Sequence, residues 1–261
     1  MGDRITIVKI GGKVIDDPAL LHTFLSDFAR LEGNKILVHG GGKIADKVLD
    51  RMGIVPKMTD GRRITDRETL DVVVQVYAGL TNKTIVAQLQ ANDCQAIGLS
   101  GADLNVIRAV KRSVKTIDYG FAGDVEEVST GPMTTLLNAG ATPVLCPVTH
   151  DKKGQLLNTN ADTIAAQTAQ AFARDYPVDL VYCFEIAGVM KDLDSGEVFP
   201  ELTPETYREA KESGALSGGI LPKLDNAFES IGQGVDNVVI CHFGALKNWG
   251  TASFTGTILK K

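Results

Sequence analysis

Apolar and polar positions follow two rhythms along this chain. RITIVKIGG (4–12) is a nearly unbroken apolar run that stops at two glycines, and KILVHGGG (35–42) repeats the pattern with three. Short β-branched runs of this kind predict buried strands that end in turns. Between and after them the period changes. In PALLHTFLSDFARL (18–31), Leu21, Phe24, Leu25, Phe28 and Leu31 fall on one helical face, and KIADKVLDRMG (43–53) predicts a second helix closed by Gly53. The order strand, turn, helix, strand, turn, helix, with glycines at the strand C-ends, predicts a parallel sheet covered by helices.

The rest of the chain continues in kind. The stretch 64–92 predicts one long helix, or two joined near Gly79 to Thr81. AIGLSG (96–101), NVIRAV (105–110) and DVEEVS (124–129) predict short strands, and PMTTLLNAG (132–140) a helix with proline at its start and glycine at its end. TPVLCPV (142–148) predicts a buried strand, and NADTIAAQTAQAFA (160–173) an Ala-rich helix capped by Asn160. At ARDYPVD (173–179) a helix ends and a proline interrupts, which sets the expected boundary between an N-lobe (1–175) and a C-lobe (176–261). A strand (178–185), a helix (203–214), a glycine-led helix (218–234), a strand (237–241) and a final strand in GTILKK complete the expected C-lobe.

Composition narrows the function class. With 261 residues the chain can bury a sizeable core, and its net charge of −5 argues against a general nucleic-acid binder. The one basic cluster, KRSVK (111–115), is short and reads as a solvated loop. Cys94, Cys146, Cys183 and Cys241 are widely spaced and read as buried thiols, and the four histidines form no local metal-ligand spacing. No apolar run approaches the roughly 20 residues needed to cross a membrane. A strand-like, charged segment stands where a signal peptide would, so the expected setting is the cytoplasm.

The glycine turns raise the question of which anion they serve. A P-loop is excluded, because the positions of its first glycine and its hydroxyl hold Leu37 and Ile44 around Lys43, and Ile7 and Val14 around Lys13. Gly40, Gly42 and Ala45 fit a dinucleotide fingerprint, but the acid expected to follow, Asp60, lies in a turn-like MTDGRR instead of at a strand end. Taken together, Gly11-Gly12, Gly40 to Gly42 and Gly218-Gly219 supply backbone N–H groups, with Lys9 before the first turn and Lys223 after the last. Anion-binding turns with separated lysines suit phosphoryl transfer between two bound substrates. Lys9 interrupts the apolar run ITIVKI, where an unpaired charge would be costly.

VKIGGK (8–13), VHGGGK (38–43), DGRRIT (60–65), TNKTIVA (81–87), GLSGAD (98–103), GFAGDVEEV (120–128), LNTNAD (157–162) and GGILPKL (218–224) resemble, in order and spacing, the motifs of the amino acid kinase family. The resemblance runs from about residue 4 to 259 and is greatest to the members that phosphorylate the side-chain carboxylate of N-acetyl-L-glutamate with ATP, in arginine biosynthesis. It implies a three-layer αβα sandwich around a mainly parallel sheet, with the amino-acid substrate on the N-lobe and ATP on the C-lobe. It implies that Lys9 and Lys223 flank the transferring phosphoryl, that Asp162 holds both lysines, and that Gly11, Gly12, Gly41 and Gly42 surround the phosphoryl and the acceptor. Arg63 would grip the substrate α-carboxylate and Asn158 its backbone part, with Asn160 a helix cap. The nucleotide would lie over 184–192 and 217–223, with Glu185, Gly188, Gly218 and Gly219, and Mg²⁺ held chiefly by phosphates and water.

Two residues depart from the family pattern. Glu185, in CFEIAG, replaces the usual aspartate, and Arg62 adds a cation beside Arg63. An extra arginine could meet a second carboxylate on the acyl group, which leaves N-succinyl-L-glutamate as an alternative acceptor. A non-catalytic sensor that keeps the fold is the alternative of another class, and retention of both Lys9 and Lys223 speaks against it. The resemblance also implies a homodimer built through the helix near 66–92. Because the chain begins at the first strand, no arginine-sensitive hexamer is expected.

Overall fold

The computed structural model describes residues 3–59, 62–191, 196–216 and 220–261. The chain opens with β1 (Ile5–Ile10), α1 (Gly12–Asp16), α2 (Pro18–Ala29), β2 (Asn34–His39) and α3 (Gly42–Arg51). α2 starts where Asp17 accepts hydrogen bonds from the backbone N–H groups of Ala19 and Leu20 at 2.9 and 3.1 Å, with Pro18 in the first turn, where no donor is needed. Its Leu21, Phe24, Leu25 and Phe28 are buried, as their spacing predicts. Each buried phenylalanine contributes about 1.5–3 kcal/mol.

A small hairpin, β3 (Lys57–Thr59) and β4 (Arg62–Ile64), follows. α4 (Arg67–Val74) then runs through a π-helical turn (Gln75–Thr81) into α5 (Asn82–Gln90). The stretch expected as one helix or two is therefore one rod with a widened turn at the expected join. Next come β5 (Ala96–Leu99), β6 (Ile107–Lys111), β7 (Gly123–Val128), α6 (Thr130–Asn138), β8 (Thr142–Leu145), β9 (Val148–His150), β10 (Leu156–Asn158) and α7 (Ala161–Phe172). The apolar run at 142–148, expected as one strand, is divided. Pro147 has no N–H to offer a ladder, so β8 stops at Leu145 and β9 joins a second sheet of order β10-β9-β6-β7. β11 (Val178–Phe184), β12 (Glu201–Leu202), α8 (Pro204–Glu212), α9 (Leu221–Gly232), β13 (Asn237–His242) and β14 (Thr257–Leu259) complete the chain.

Among the described residues the main sheet has eight strands in the order β12-β14-β13-β11-β1-β2-β8-β5, and only the β13–β14 pair is antiparallel. On one face Ile5 and Ile7 pack in a core with Ile164 and Phe172 of α7 and Leu224 of α9. On the other, Val8 and Ile10 share a core with Phe24 and Phe28 of α2 and Ile85 of α5. The result is the expected three-layer sandwich. β1 lies between β2 and β11, so the chain leaves it in one direction and returns on its other side. That reversal makes the C-terminal end of β1 a switch point, where open α/β sheets leave a crevice for ligands. All four cysteines are buried and unpaired, as expected. Desolvation pushes the Cys146 thiol up to about 12, so it stays protonated. No helix among the described residues is long and apolar enough to cross a membrane.

Candidate active site

Strand alternation places the charge in ITIVKI. Lys9 shares the face of Ile5 and Ile7, so its side chain runs towards α7, whose first turn carries an acid. Lys9 is 8% exposed, and its Nζ lies 2.7 Å from Asp162 Oδ1. Asp162 stands there because Asn160 caps α7, accepting from the N–H groups of Asp162 and Thr163 at 2.8 and 3.2 Å. Asn160 is thus a cap, as expected.

Lys223, on α9, reaches the same crevice from the other side. Its Nζ lies 4.4 Å from the ring centroid of Phe184, and Lys9 Nζ lies 5.5 Å from the same ring. Among the described residues Asp162 pairs with Lys9 and not with Lys223. The expectation that one carboxylate holds both lysines is therefore met for Lys9 only, and an aromatic face supports the other cation. Lys9, Gly11, Gly12, Asp162, Phe184, Glu185 and Lys223 line one cavity of about 350 Å³. Glu185 faces Lys13 at 3.7 Å.

A second cavity, of about 220 Å³, adjoins the first across the start of α7 and is lined by Gly40, Gly41, Gly42, Arg62, Arg63, Tyr77, Arg112, Asn158 and Asn160. Arg63 is buried, and its Nη1 donates to Asp46 Oδ1 at 2.6 Å while Nη2 donates to the Gly42 carbonyl at 3.3 Å. Burial opposes the Arg63 charge, but Asp46 and the nearby Tyr77 outweigh it and hold the guanidinium above its ordinary range. Asn158 donates to Thr65 Oγ1 at 3.0 Å, which fixes its amide at the wall. Arg62 is exposed at the cavity rim.

The glycines divide into two kinds. A Cβ on Gly41 would meet the Tyr77 ring at 2.9 Å, so the protein itself requires glycine there. At Gly11 and Gly12 the nearest atoms would stand 3.5 and 4.0 Å away, which is ordinary contact. Among the described residues no packing demands glycine at those two positions, so their small size is free to admit a ligand to the backbone. Gly188 lies in a third cavity with Ile186, Met190, Leu216 and Ile220, and its own Cβ would strike Thr257 Oγ1 at 2.7 Å. Asp60, Gly218 and Gly219 lie outside the described residues.

Several lining residues were not legible beforehand. Arg112, read as part of a solvated basic loop, lines the second cavity, where its Nε donates to Asp124 Oδ1 at 3.0 Å. Its position just past the end of β6, where its side chain meets an acid on β7, is a pairing that linear sequence does not reveal. Tyr77, Asp46 and Phe184 were missed for the same reason. Among the described residues no cluster of three or more His, Cys, Asp or Glu could cage a metal.

A switch-point crevice flanked by glycine turns and two lysines defines a phosphoryl-transfer fold, and the family comparison agrees. Residues 4–242 match the amino acid kinase family model, and the chain belongs to that family. A protein of Phocaeicola vulgatus named acetylglutamate kinase is 52% identical, over 100% of both chains. A Bacteroides thetaiotaomicron protein of the same name is 51% identical over 96% of this chain and 98% of its own, and one from Methanopyrus kandleri is 39% identical over 94% and 98%. Among solved structures, the N-acetylglutamate synthase of Neisseria gonorrhoeae complexed with coenzyme A and N-acetyl-glutamate superposes with a TM-score of 0.82 at 22% identity, over 98% of this chain and 59% of that one. Giardia carbamate kinase superposes at 0.68 with 12% identity, over 100% and 99%. Both share the fold.

Proposed function

We infer that this chain transfers the γ-phosphoryl group of ATP to the side-chain carboxylate of N-acetyl-L-glutamate, giving an acyl phosphate in arginine biosynthesis. The observation that carries this reading is full-length identity of 52% to a relative named for that activity. The two adjoining cavities at the ends of β1 and β2 support it, one for each substrate.

The acceptor carboxylate is already ionised near pH 7, so the reaction needs no general base. Its difficulty is the approach of two anions, and positive charge with preorganised N–H donors is the remedy. Lys9 and Lys223 stand on either side of the transfer path, Asp162 orients Lys9, and Gly12, Gly41 and Gly42 offer backbone donors, while Gly11, whose N–H goes to the Cys183 carbonyl at 3.2 Å, offers its small size. Arg63, already oriented by Asp46, presents a planar fork to the α-carboxylate, with Asn158 beside it. The nucleotide occupies the C-lobe (176–261) near Glu185, Gly188, Gly218 and Gly219, and the acceptor the N-lobe (1–175). Mg²⁺ would be carried by the phosphates and water, as its hydration habits favour. A cytoplasmic homodimer is the assembly we propose, through the rod at 66–92, where Leu80 is exposed.

A second reading, N-succinyl-L-glutamate as acceptor, is favoured by one observation: Arg62 and Arg112 line the same cavity as Arg63. Trapping the acyl phosphate with hydroxylamine, with each acyl-glutamate in turn, tests both. Turnover of the acetyl compound in preference supports the main reading. Preference for the succinyl compound, abolished by Arg62→Leu, replaces it. No turnover with either returns the chain to a sensor role.

A further inference from the structure

His39 is the last residue of β2 and precedes the glycine turn directly. It follows the apolar Ile36, Leu37 and Val38, and it is itself wholly buried at 0% exposure. A histidine in such a place needs partners, because an unpaired ring nitrogen there would be costly. Its Nδ1 lies 2.6 Å from the Gly40 carbonyl oxygen, which can only accept, so Nδ1 carries the proton. Its Nε2 then accepts from Asn82 Nδ2 at 3.1 Å. Asn82 is itself held in one orientation: its amide nitrogen also donates to the Val144 carbonyl at 3.0 Å, and its Oδ1 accepts from Lys83 Nζ at 3.2 Å. Lys83 also donates to the Gly98 carbonyl at 3.1 Å. A Cβ at Gly98 would lie 1.8 Å from Asn82 Oδ1, so β5 is cut back to make room for this chain of groups. Burial, together with nearby Lys83, holds the imidazole down to about 4, so it is neutral and its single proton is committed to Gly40.

The geometry points to a positioning role: Lys83, Asn82 and His39 pin the Gly40 carbonyl so that the Gly41 N–H is aimed into the acceptor cavity, towards the group being transferred. A trans peptide holds its C=O and N–H on opposite sides, so drawing the Gly40 oxygen towards the buried ring turns the Gly41 N–H away from it. Gly41 lines the cavity, and among the described residues no protein acceptor takes up its N–H. Its conformation, φ +156° with the Tyr77 ring against the Cα, leaves little freedom once the carbonyl is fixed. The segment TNKTIVA thereby gains a part in the site without touching a substrate.

This inference rests on the phosphoryl-transfer reading, and the test separates the two. Steady-state kinetics and thermal unfolding would be measured on the full chain for wild type, His39→Leu, His39→Asn and Lys83→Met. Leucine removes the donor, whereas the asparagine amide nitrogen can replace Nδ1. His39→Leu is expected to lower kcat about a hundredfold, the cost of one misplaced oxyanion donor, with both KM values within about threefold. His39→Asn should recover kcat to within about tenfold of wild type. Lys83→Met, at the exposed end, should lower kcat about fivefold, one hydrogen bond's worth, with Tm unchanged. Equal losses in the leucine and asparagine variants that follow Tm would reduce His39 to a packing residue and overturn the proposal. So would wild-type kcat in His39→Leu or, should that variant not fold, in Lys83→Met. A wild-type enzyme that phosphorylates no acyl-glutamate would overturn the transfer reading itself.

Discussion

The two adjoining cavities handle positive charge in opposite ways. In the cavity proposed for the acceptor, two of the three lining arginines come already answered: Arg63 is paired with Asp46 at 2.6 Å and Arg112 with Asp124, while Arg62 is exposed at the rim. In the transfer cleft one lysine has a carboxylate and the other rests on an aromatic ring. The first arrangement fixes direction, because a guanidinium held by its own acid still presents its remaining donors along one line. The second leaves charge in reserve for a polyphosphate, and its glycines leave room for the ligand's oxygens to approach. On the function proposed above, one cavity would serve recognition and the other the stabilisation of charge that develops during transfer.

The strongest way to break this contrast is Lys9→Met. It should lower kcat about a thousandfold with little change in either KM, as measured by hydroxylamine trapping, since its charge acts mainly in the transition state. A large rise in KM with kcat intact would place Lys9 among the recognition residues. Arg63→Lys keeps the charge and loses the fork. It should raise the acceptor KM about a hundredfold and leave the ATP KM alone. If both KM values rise together, the two cavities are not separate in function.

The glycines give a finer test. Gly11→Ala should leave Tm unchanged while lowering kcat/KM about tenfold, because its Cβ has space in the protein and would stand in the way of a ligand. Gly41→Ala should lower Tm by about 2–8 °C, since the new methyl meets the Tyr77 ring. Reversal of these two results would mean that the Gly11 turn is structural. The smallest effect belongs to Glu185→Gln. The Lys13–Glu185 pair spans 3.7 Å between half-exposed groups, so its loss should cost no more than about 1 kcal/mol of stability. An ATP KM raised about threefold would keep Glu185 on the nucleotide side, and an unchanged one would remove it.

Sequence periodicity captured the elements whose reasons are local. α2 announces itself through its proline, its capping acid and the spacing of Phe24 and Phe28, and Lys9 stands out because a charge inside an apolar strand must be paired. Asn160 was legible as a cap for the same reason. What escaped was set by distant partners. The hairpin β3–β4 has strands of three residues, too short for a period, and Arg112 acquires its meaning only from Asp124 on the neighbouring strand. Phe184 was an apolar strand residue until α9 laid Lys223 across it. The role of His39 depends on Asn82, a residue 43 positions away that linear pattern could not bring to it.

The place of β1 in the sheet has a consequence for how the molecule is made. β1, made before every other described strand, lies inside the sheet, and its two neighbours, β2 and β11, are separated by most of the chain. While the ribosome is still building the middle, β2, β8 and β5 can assemble on one side of β1, but its other edge has no partner until residues 178–184 emerge. An apolar strand with an open edge is a template for pairing with other chains. The pairing of β11 with β1 closes that edge and also creates the crevice, so a nascent chain carries a sticky edge until that pairing forms.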